Sequence, residues 1–204
     1  MNNFNQNNYK ADLKEINLSK VGVITLSTDL TIEQDYRKVC YNLPIDIFFN
    51  RIPFLNPLTH ENYIKMADHI TETTNQILPN EKVDVIAYGC TSGTIEIGEE
   101  RIKSEIHKSK SDALITTPIT AAIKAFKLSN FKKIAVLTPY PKDVNIKVYE
   151  YLINHGFDIK SFSSFNLNYD SEIAKVTSDS LIKTISSIVL TEIDCLFVSC
   201  TALK

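Results

Sequence analysis

Val83-Asp84-Val85-Ile86-Ala87-Tyr88-Gly89-Cys90-Thr91-Ser92-Gly93 and a later echo, Asp194-Cys195-Leu196-Phe197-Val198-Ser199-Cys200-Thr201-Ala202-Leu203, decide the reading of this chain. Each opens with a short, β-rich, proline-free run, the pattern of a strand buried in a parallel sheet. Each then breaks at a cysteine. Ligands of open α/β sheets collect at the carboxyl ends of the strands, so thiols in these positions face a substrate more readily than a core. Two of them suggest paired chemistry.

Outward from these stretches, strand-like runs over 21–26, 45–49, 83–88, 113–116, 134–137, 157–162 and 195–198 alternate with helical patterns. The helical patterns cover 31–41, 60–77, 93–108, 119–128, 143–155 and 172–190. Such alternation predicts an α/β protein with parallel sheets flanked by helices. One unit is used twice: Val21-Gly22-Val23-Ile24-Thr25-Leu26-Ser27 parallels Ile134-Ala135-Val136-Leu137-Thr138-Pro139-Tyr140. These opening strands lie 113 residues apart and the two cysteines 110 apart. The expectation is two similar lobes, 21–118 and 119–204, with an active-site cleft between them and one thiol on each wall. Residues 1–20 are polar, Asn-rich and aperiodic, and read as a flexible extension.

The first lobe continues past its cysteine through a helix, a strand and another helix, whereas the second stops four residues after Cys200. The second lobe is therefore expected to be truncated, its C-terminal strand and helix missing. An uncovered sheet edge would favour a homo-oligomer and leave Cys200 more loosely held than Cys90, with weak activity or none.

With 204 residues, 44% apolar content and a net charge of −2, the chain has the composition of a globular protein. Its lysines are scattered, which argues against nucleic acid and against a membrane surface. No apolar run approaches the ~20 residues of a bilayer span, and the first residues lack a signal peptide's apolar region, so a cytoplasmic location with reduced thiols is expected. His60, His69, His107 and His155 show no metal-ligand spacing, and no metal or organic cofactor is expected.

A cysteine at a helix N-terminus has its thiolate stabilised, which predicts that Cys90 reacts ahead of Cys40 and Cys195. Cys40, on a helix, and Cys195, inside a strand, read as packing residues. Gly89 and Gly93 would let backbone approach a ligand, and Thr91 and Ser92 supply donors for a carboxylate or oxyanion. Thr28 and Thr31 read equally well as caps of the first helix and as ligand contacts. Two thiols on opposite faces of a planar carbon can act as base and acid, or as nucleophile and acid.

Several stretches also carry a family resemblance: Ser27-Thr28-Asp29-Leu30-Thr31-Ile32-Glu33-Gln34-Asp35, Arg51-Ile52-Pro53 with Asn56-Pro57, Ala87-Tyr88-Gly89-Cys90-Thr91-Ser92-Gly93 with Glu96-Ile97-Gly98, Thr117-Pro118-Ile119-Thr120-Ala121-Ala122, Leu137-Thr138-Pro139-Tyr140 with Val144-Asn145, and Ser199-Cys200-Thr201-Ala202-Leu203. Through them the chain resembles the maleate isomerase and arylmalonate decarboxylase branch of the aspartate/glutamate racemase superfamily, and most of all its ectoine-utilisation protein A members. The resemblance implies a cofactor-independent isomerase or racemase acting on a small carboxylic acid. Cys90 would be the thiol that adds to the substrate, Cys200 the thiol that moves a proton on the opposite side, and Tyr140 a carboxylate ligand. Thr28, Asp29, Thr91, Ser92 and Thr201 complete the expected substrate-binding set.

Two departures stand out. Asp29 replaces an Asn of the isomerases, and an Asn expected near Asp170-Ser171-Glu172 appears as Ser171. An acid in place of an amide would repel a dicarboxylate, which argues against maleate itself. The alternative reading is a catalytically silent ligand-binding or pathway-accessory protein. A decarboxylase of the arylmalonate type is weaker, because that group usually has Gly where this chain has Cys90.

Overall fold

The two parallel stretches Val21-Gly22-Val23-Ile24-Thr25-Leu26 and Ile134-Ala135-Val136-Leu137-Thr138 become the central strands of two sheets in the computed structural model, which describes residues 6–15, 17–188 and 191–203. The first sheet has the order β2-β1-β3-β4, with β1 Ser19–Leu26, β2 Ile45–Ile52, β3 Val85–Tyr88 and β4 Leu114–Thr116. The second has the order β6-β5-β7, with β5 Lys133–Thr138, β6 Asp158–Ser164 and β7 Cys195–Val198. Every pairing is parallel. Central strands are covered on both faces and so must be apolar throughout. Accordingly Val23, Ile24, Ile134, Ala135, Val136 and Leu137 are all 0% exposed.

The doubling read from the sequence is present in the topology: β5, β6 and β7 repeat the arrangement of β1, β2 and β3. Among the described residues β4 has no counterpart in the second sheet.

Nine α-helices occur among the described residues: α1 Ile32–Val39, α2 His60–Met66, α3 Ile70–Asn75, α4 Thr91–Ile97, α5 Glu99–His107, α6 Pro118–Leu128, α7 Lys142–Asn154, α8 Asp170–Ile173 and α9 Ser178–Ser187. Three predicted helices are broken. The pattern over 60–77 contains a 3-10 turn, Ala67–His69, between α2 and α3. The pattern over 93–108 divides at Gly98, whose φ of +91° ends α4 and starts α5. The pattern over 172–190 becomes α8 and α9, with Thr177 capping α9 by accepting the Ser180 N–H, and its last two positions lie outside the described residues. Hydrophobic periodicity runs through such breaks because the apolar stripe continues on the next helix.

The first strand begins at Ser19, two residues before its expected start, and residues 6–15 are exposed without helix or strand. Residues 1–5 of the expected extension lie outside the described residues. No helix among the described residues is long and apolar enough to cross a membrane.

A single apolar core runs through both sheets, joining Ile24, Ile52, Ile70 and Ile102 of the first half to Ile134, Val148, Leu152 and Ala202 of the second. Helix α4 packs against α2, α5, α6 and α7. The start of α4 is thus held from both halves.

Candidate active site

In each sheet the chain leaves the central strand in one direction and the neighbouring strand in another, which opens a crevice at the carboxyl ends. The loop after β1 carries Asp29, the turn after β3 carries Cys90, the loop after β5 carries Tyr140, and the turn after β7 carries Cys200. All four line one small cavity, together with Leu26, Tyr63, Gly89, Thr91, Ser92, Asp170, Thr201 and Ala202. Thr28 does not line it but donates a short hydrogen bond from Oγ1 to Asp170 Oδ2.

Cys90 is the N-cap residue of α4, as the sequence suggested, and its Sγ accepts the Gly93 N–H at 3.2 Å. Ser92 Oγ lies 3.8 Å from the sulfur and donates to Tyr63 Oη at 2.9 Å. Gly93 is required here for space. A Cβ at that position would sit 2.9 Å from Cys90 Sγ and 2.8 Å from Met66 Cε.

Cys200 adopts φ +120°, a strained conformation for a residue with a side chain. Its Sγ accepts the Ala202 N–H at 3.4 Å. Thr201 binds the halves together: its Oγ1 donates to Gly89 O at 3.1 Å, and its carbonyl accepts Thr31 Oγ1 at 2.9 Å. The cap of α1 comes from neither threonine. Asp29 Oδ1 accepts the N–H groups of Thr31 at 2.7 Å and Ile32 at 2.9 Å.

The electrostatics correct one expectation. Helix-start geometry favours the Cys90 thiolate, yet burial pushes the thiol well above its ordinary pKa and outweighs the Gly93 N–H and the Ser92 hydroxyl. Burial likewise pushes Cys200 up to about 12, against the Ala202 N–H and the Tyr140 hydroxyl, with the charges of Asp170 and Asp29 adding to the rise. Tyr63 and Tyr140 are also raised well above the phenol value, first by burial and then by the neighbouring thiols. The space left among these groups is about 10 Å³, room for about one water. The site is closed around two protonated thiols.

Cys200 and Thr201 also border an open groove of about 460 Å³ between α1 and the last residues, lined further by Ile32, Tyr36, Val39, Cys40 and Leu203. Cys90 is 6% exposed, whereas Cys40, Cys195 and Cys200 are half-buried. Limited alkylation with peptide mapping should therefore label Cys90 last, the reverse of the order expected from its helix position. Labelling of Cys90 ahead of Cys40 would contradict the closed arrangement.

Asp170 was not among the expected site residues, and Ser171, where the resemblance pointed, is exposed. The lining position belongs to Asp170, 6% exposed, whose N–H is 3.3 Å from Asn56 Oδ1. Tyr63 was also missed, since on α2 it reads like any other residue of an apolar face. Burial raises the Asp170 carboxyl above its ordinary 3.8, opposed by Thr28 and Asn56 and reinforced by the charge of Asp29. A raised folded pKa gives stability that is complete below the unfolded value and lost as pH rises through the folded one. Asp170→Asn should accordingly melt higher than the unaltered protein at about pH 7, with the gap closing as pH falls toward about 4. Thermal melts across that range would show it, and a variant that melts lower at neutral pH would contradict the assignment.

Among the described residues no Lys, Arg or His lines the cavity. Among the described residues no group of three or more His, Cys, Asp or Glu is arranged to hold a metal ion.

The chain is 23% identical over 124 residues to a maleate isomerase of Nocardia farcinica, an alignment covering 57% of this chain and 49% of the relative. A maleate isomerase of Geobacillus stearothermophilus is 22% identical over 194 residues, covering 88% of this chain and 76% of the relative. The chain thus spans about half the length of the Nocardia relative and about three quarters of the Geobacillus one.

The fold matches a Nocardia farcinica maleate cis-trans isomerase, solved with a covalently bound succinylcysteine intermediate, with a TM-score of 0.83 at 18% identity over 92% of this chain and 80% of that one. It matches arylmalonate decarboxylase with a TM-score of 0.68 at 18% identity over 91% and 78% of the two chains. The family model described as arylmalonate decarboxylase matches residues 48–204, the span that supplies Cys90, Tyr140, Asp170 and Cys200, and this chain belongs to that family.

Proposed function

We propose that the protein is a two-cysteine isomerase or racemase that works on a small carboxylic acid without a cofactor. The observation that carries this reading is that Cys90 and Cys200, from the ends of β3 and β7 in different sheets, border the same closed cavity. The maleate isomerases among the relatives support it.

The chemistry balances with one proton shared by the pair. With one sulfur a thiolate and the other a thiol, the thiolate removes a proton from one face of the substrate carbon. The thiol delivers its own proton to the opposite face, leaving the two sulfurs with exchanged roles. On an alkene the thiolate instead forms an S–C bond while the thiol protonates the adjacent carbanion. Rotation about the resulting single bond and reversal of both steps give the other geometric isomer. Because both thiols are held protonated in the closed form, opening must precede ionisation.

The finer link to ectoine utilisation rests on the sequence motifs alone. A catalytically silent binding protein is the second reading, favoured by the closed cavity and its protonated thiols. Incubation with a panel of small mono- and dicarboxylates, with NMR and chiral analysis of the products, separates the two. Conversion of one compound to its isomer supports the enzyme, and binding without conversion supports the silent protein.

A further inference from the structure

Among the described residues, the cavity is lined by two acidic residues and by no basic one. Asp29 is 4% exposed and Asp170 6% exposed, and the remaining polar lining is hydroxyl and thiol, from Tyr63, Tyr140 and the two cysteines among others. Arg51, on β2, is spent elsewhere. Its Nη1 donates to the carbonyls of Asp29 at 2.8 Å and Ser27 at 3.2 Å, and its Nη2 lies 2.9 Å from Glu33. It props the loop after β1 from behind and lines no part of the cavity.

A dianion entering this space would add two negative charges to two existing ones where water is excluded, and no cation among the described lining residues would offset them. A group bearing a positive charge would be drawn to the same place. Asp29 uses Oδ1 to cap α1, and Asp170 receives Thr28 on Oδ2. Asp29 therefore has Oδ2 outside those bonds, while the Asp170 carboxyl is also met by the Asn56 side chain. Ser92 donates to Tyr63 Oη, which leaves the Tyr63 hydroxyl hydrogen free to donate to an anion.

We propose that the substrate is a small ammonium-bearing monocarboxylate, its ammonium seated between Asp29 and Asp170 and its single carboxylate met by the Tyr63 hydroxyl. The proposal rests on the reading of this cavity as the substrate site and adds the charge that the site selects. A zwitterion brings one positive and one negative group, matching the acid pair at one end and the Tyr63 phenol donor at the other. Dicarboxylates fail at the acid pair, a discrimination built on repulsion as much as on attraction.

The test is binding, read by calorimetry and thermal shift, so that it does not depend on turnover. The zwitterionic probes are alanine, β-alanine and 4-aminobutyrate, and the dianionic probes are malonate, maleate and succinate. The unaltered protein should bind at least one zwitterion at least about tenfold more tightly than any of the dianions. Asp29→Asn combined with Asp170→Asn should lose that preference and bind a dianion about tenfold or more better than the unaltered protein does. The Asn at 29 retains an oxygen for the α1 cap, and melting of the variant confirms its fold. Should it unfold, the selectivity of the unaltered protein decides alone. Dianions bound as tightly as zwitterions by the unaltered protein, or no probe bound at all, would overturn the proposal. L-Alanine bound without racemisation would sink the catalytic reading and leave the charge selection standing. Maleate isomerised would do the opposite.

Discussion

Cys90→Ser and Cys200→Ser should each lower turnover on the identified substrate by about 10²–10⁴-fold, the range typical for loss of a positioned acid or base. The fold should survive both changes. Cys90 caps α4 through its Sγ, and serine is among the strongly preferred residues at that position, so the Gly93 N–H keeps an acceptor. At Cys200 the Ala202 N–H likewise keeps a partner, and the strained φ of +120° is a property of the backbone that serine inherits. A hydroxyl in the same burial is far less acidic than a thiol, so proton transfer fails where packing does not. Steady-state rates measured beside melting temperatures check both halves. Substantial turnover in either variant would rule out a mechanism that needs both sulfurs.

Gly93→Ala should lower turnover by about a hundredfold without touching either thiol chemically, since a misplacement of about 1 Å can cost that much. The added Cβ would lie 2.9 Å from Cys90 Sγ, 2.8 Å from Met66 Cε and 3.2 Å from Tyr88 Oη, too close for all three to stay in place. Met66 can bend away, but Tyr88 is fully buried at the end of β3, so the cysteine sulfur is the neighbour left to move. Overpacking of this kind also costs about 1–3 kcal/mol of stability, visible as a lower denaturation midpoint. An alanine variant with unaltered rates would mean that the position of the sulfur is not what the reaction needs.

The strands were legible because both halves of the chain alternate continuous apolar runs with longer amphipathic ones, and each of the seven strand-like runs overlaps an observed strand. Helix boundaries were less legible for local reasons. Gly98 sits inside an unbroken apolar pattern, and only its positive φ shows that the axis turns there. In the site, Cys90 and Cys200 could be read from their places next to strand ends, whereas Tyr140 came from the family resemblance; all three line the cavity.

Asp170 and Tyr63 could not be read in that way. They reach the cavity from α8 and α2, elements distant in sequence from the strand tips, and only packing brings them there. The ionisation of Cys90 was misjudged for a related reason. A helix start is a local feature, whereas the burial that outweighs it depends on both halves closing over the thiol.

The central claim is that Cys90 and Cys200 act together on one substrate, one of them moving a proton at a single carbon. The most direct measurement follows that carbon by NMR in D₂O, with the unaltered protein beside the Cys90→Ser/Cys200→Ser double variant. The account predicts that the unaltered protein places solvent deuterium at a single carbon of its substrate while the folded double variant places none. Equal deuterium uptake by the two proteins would contradict it.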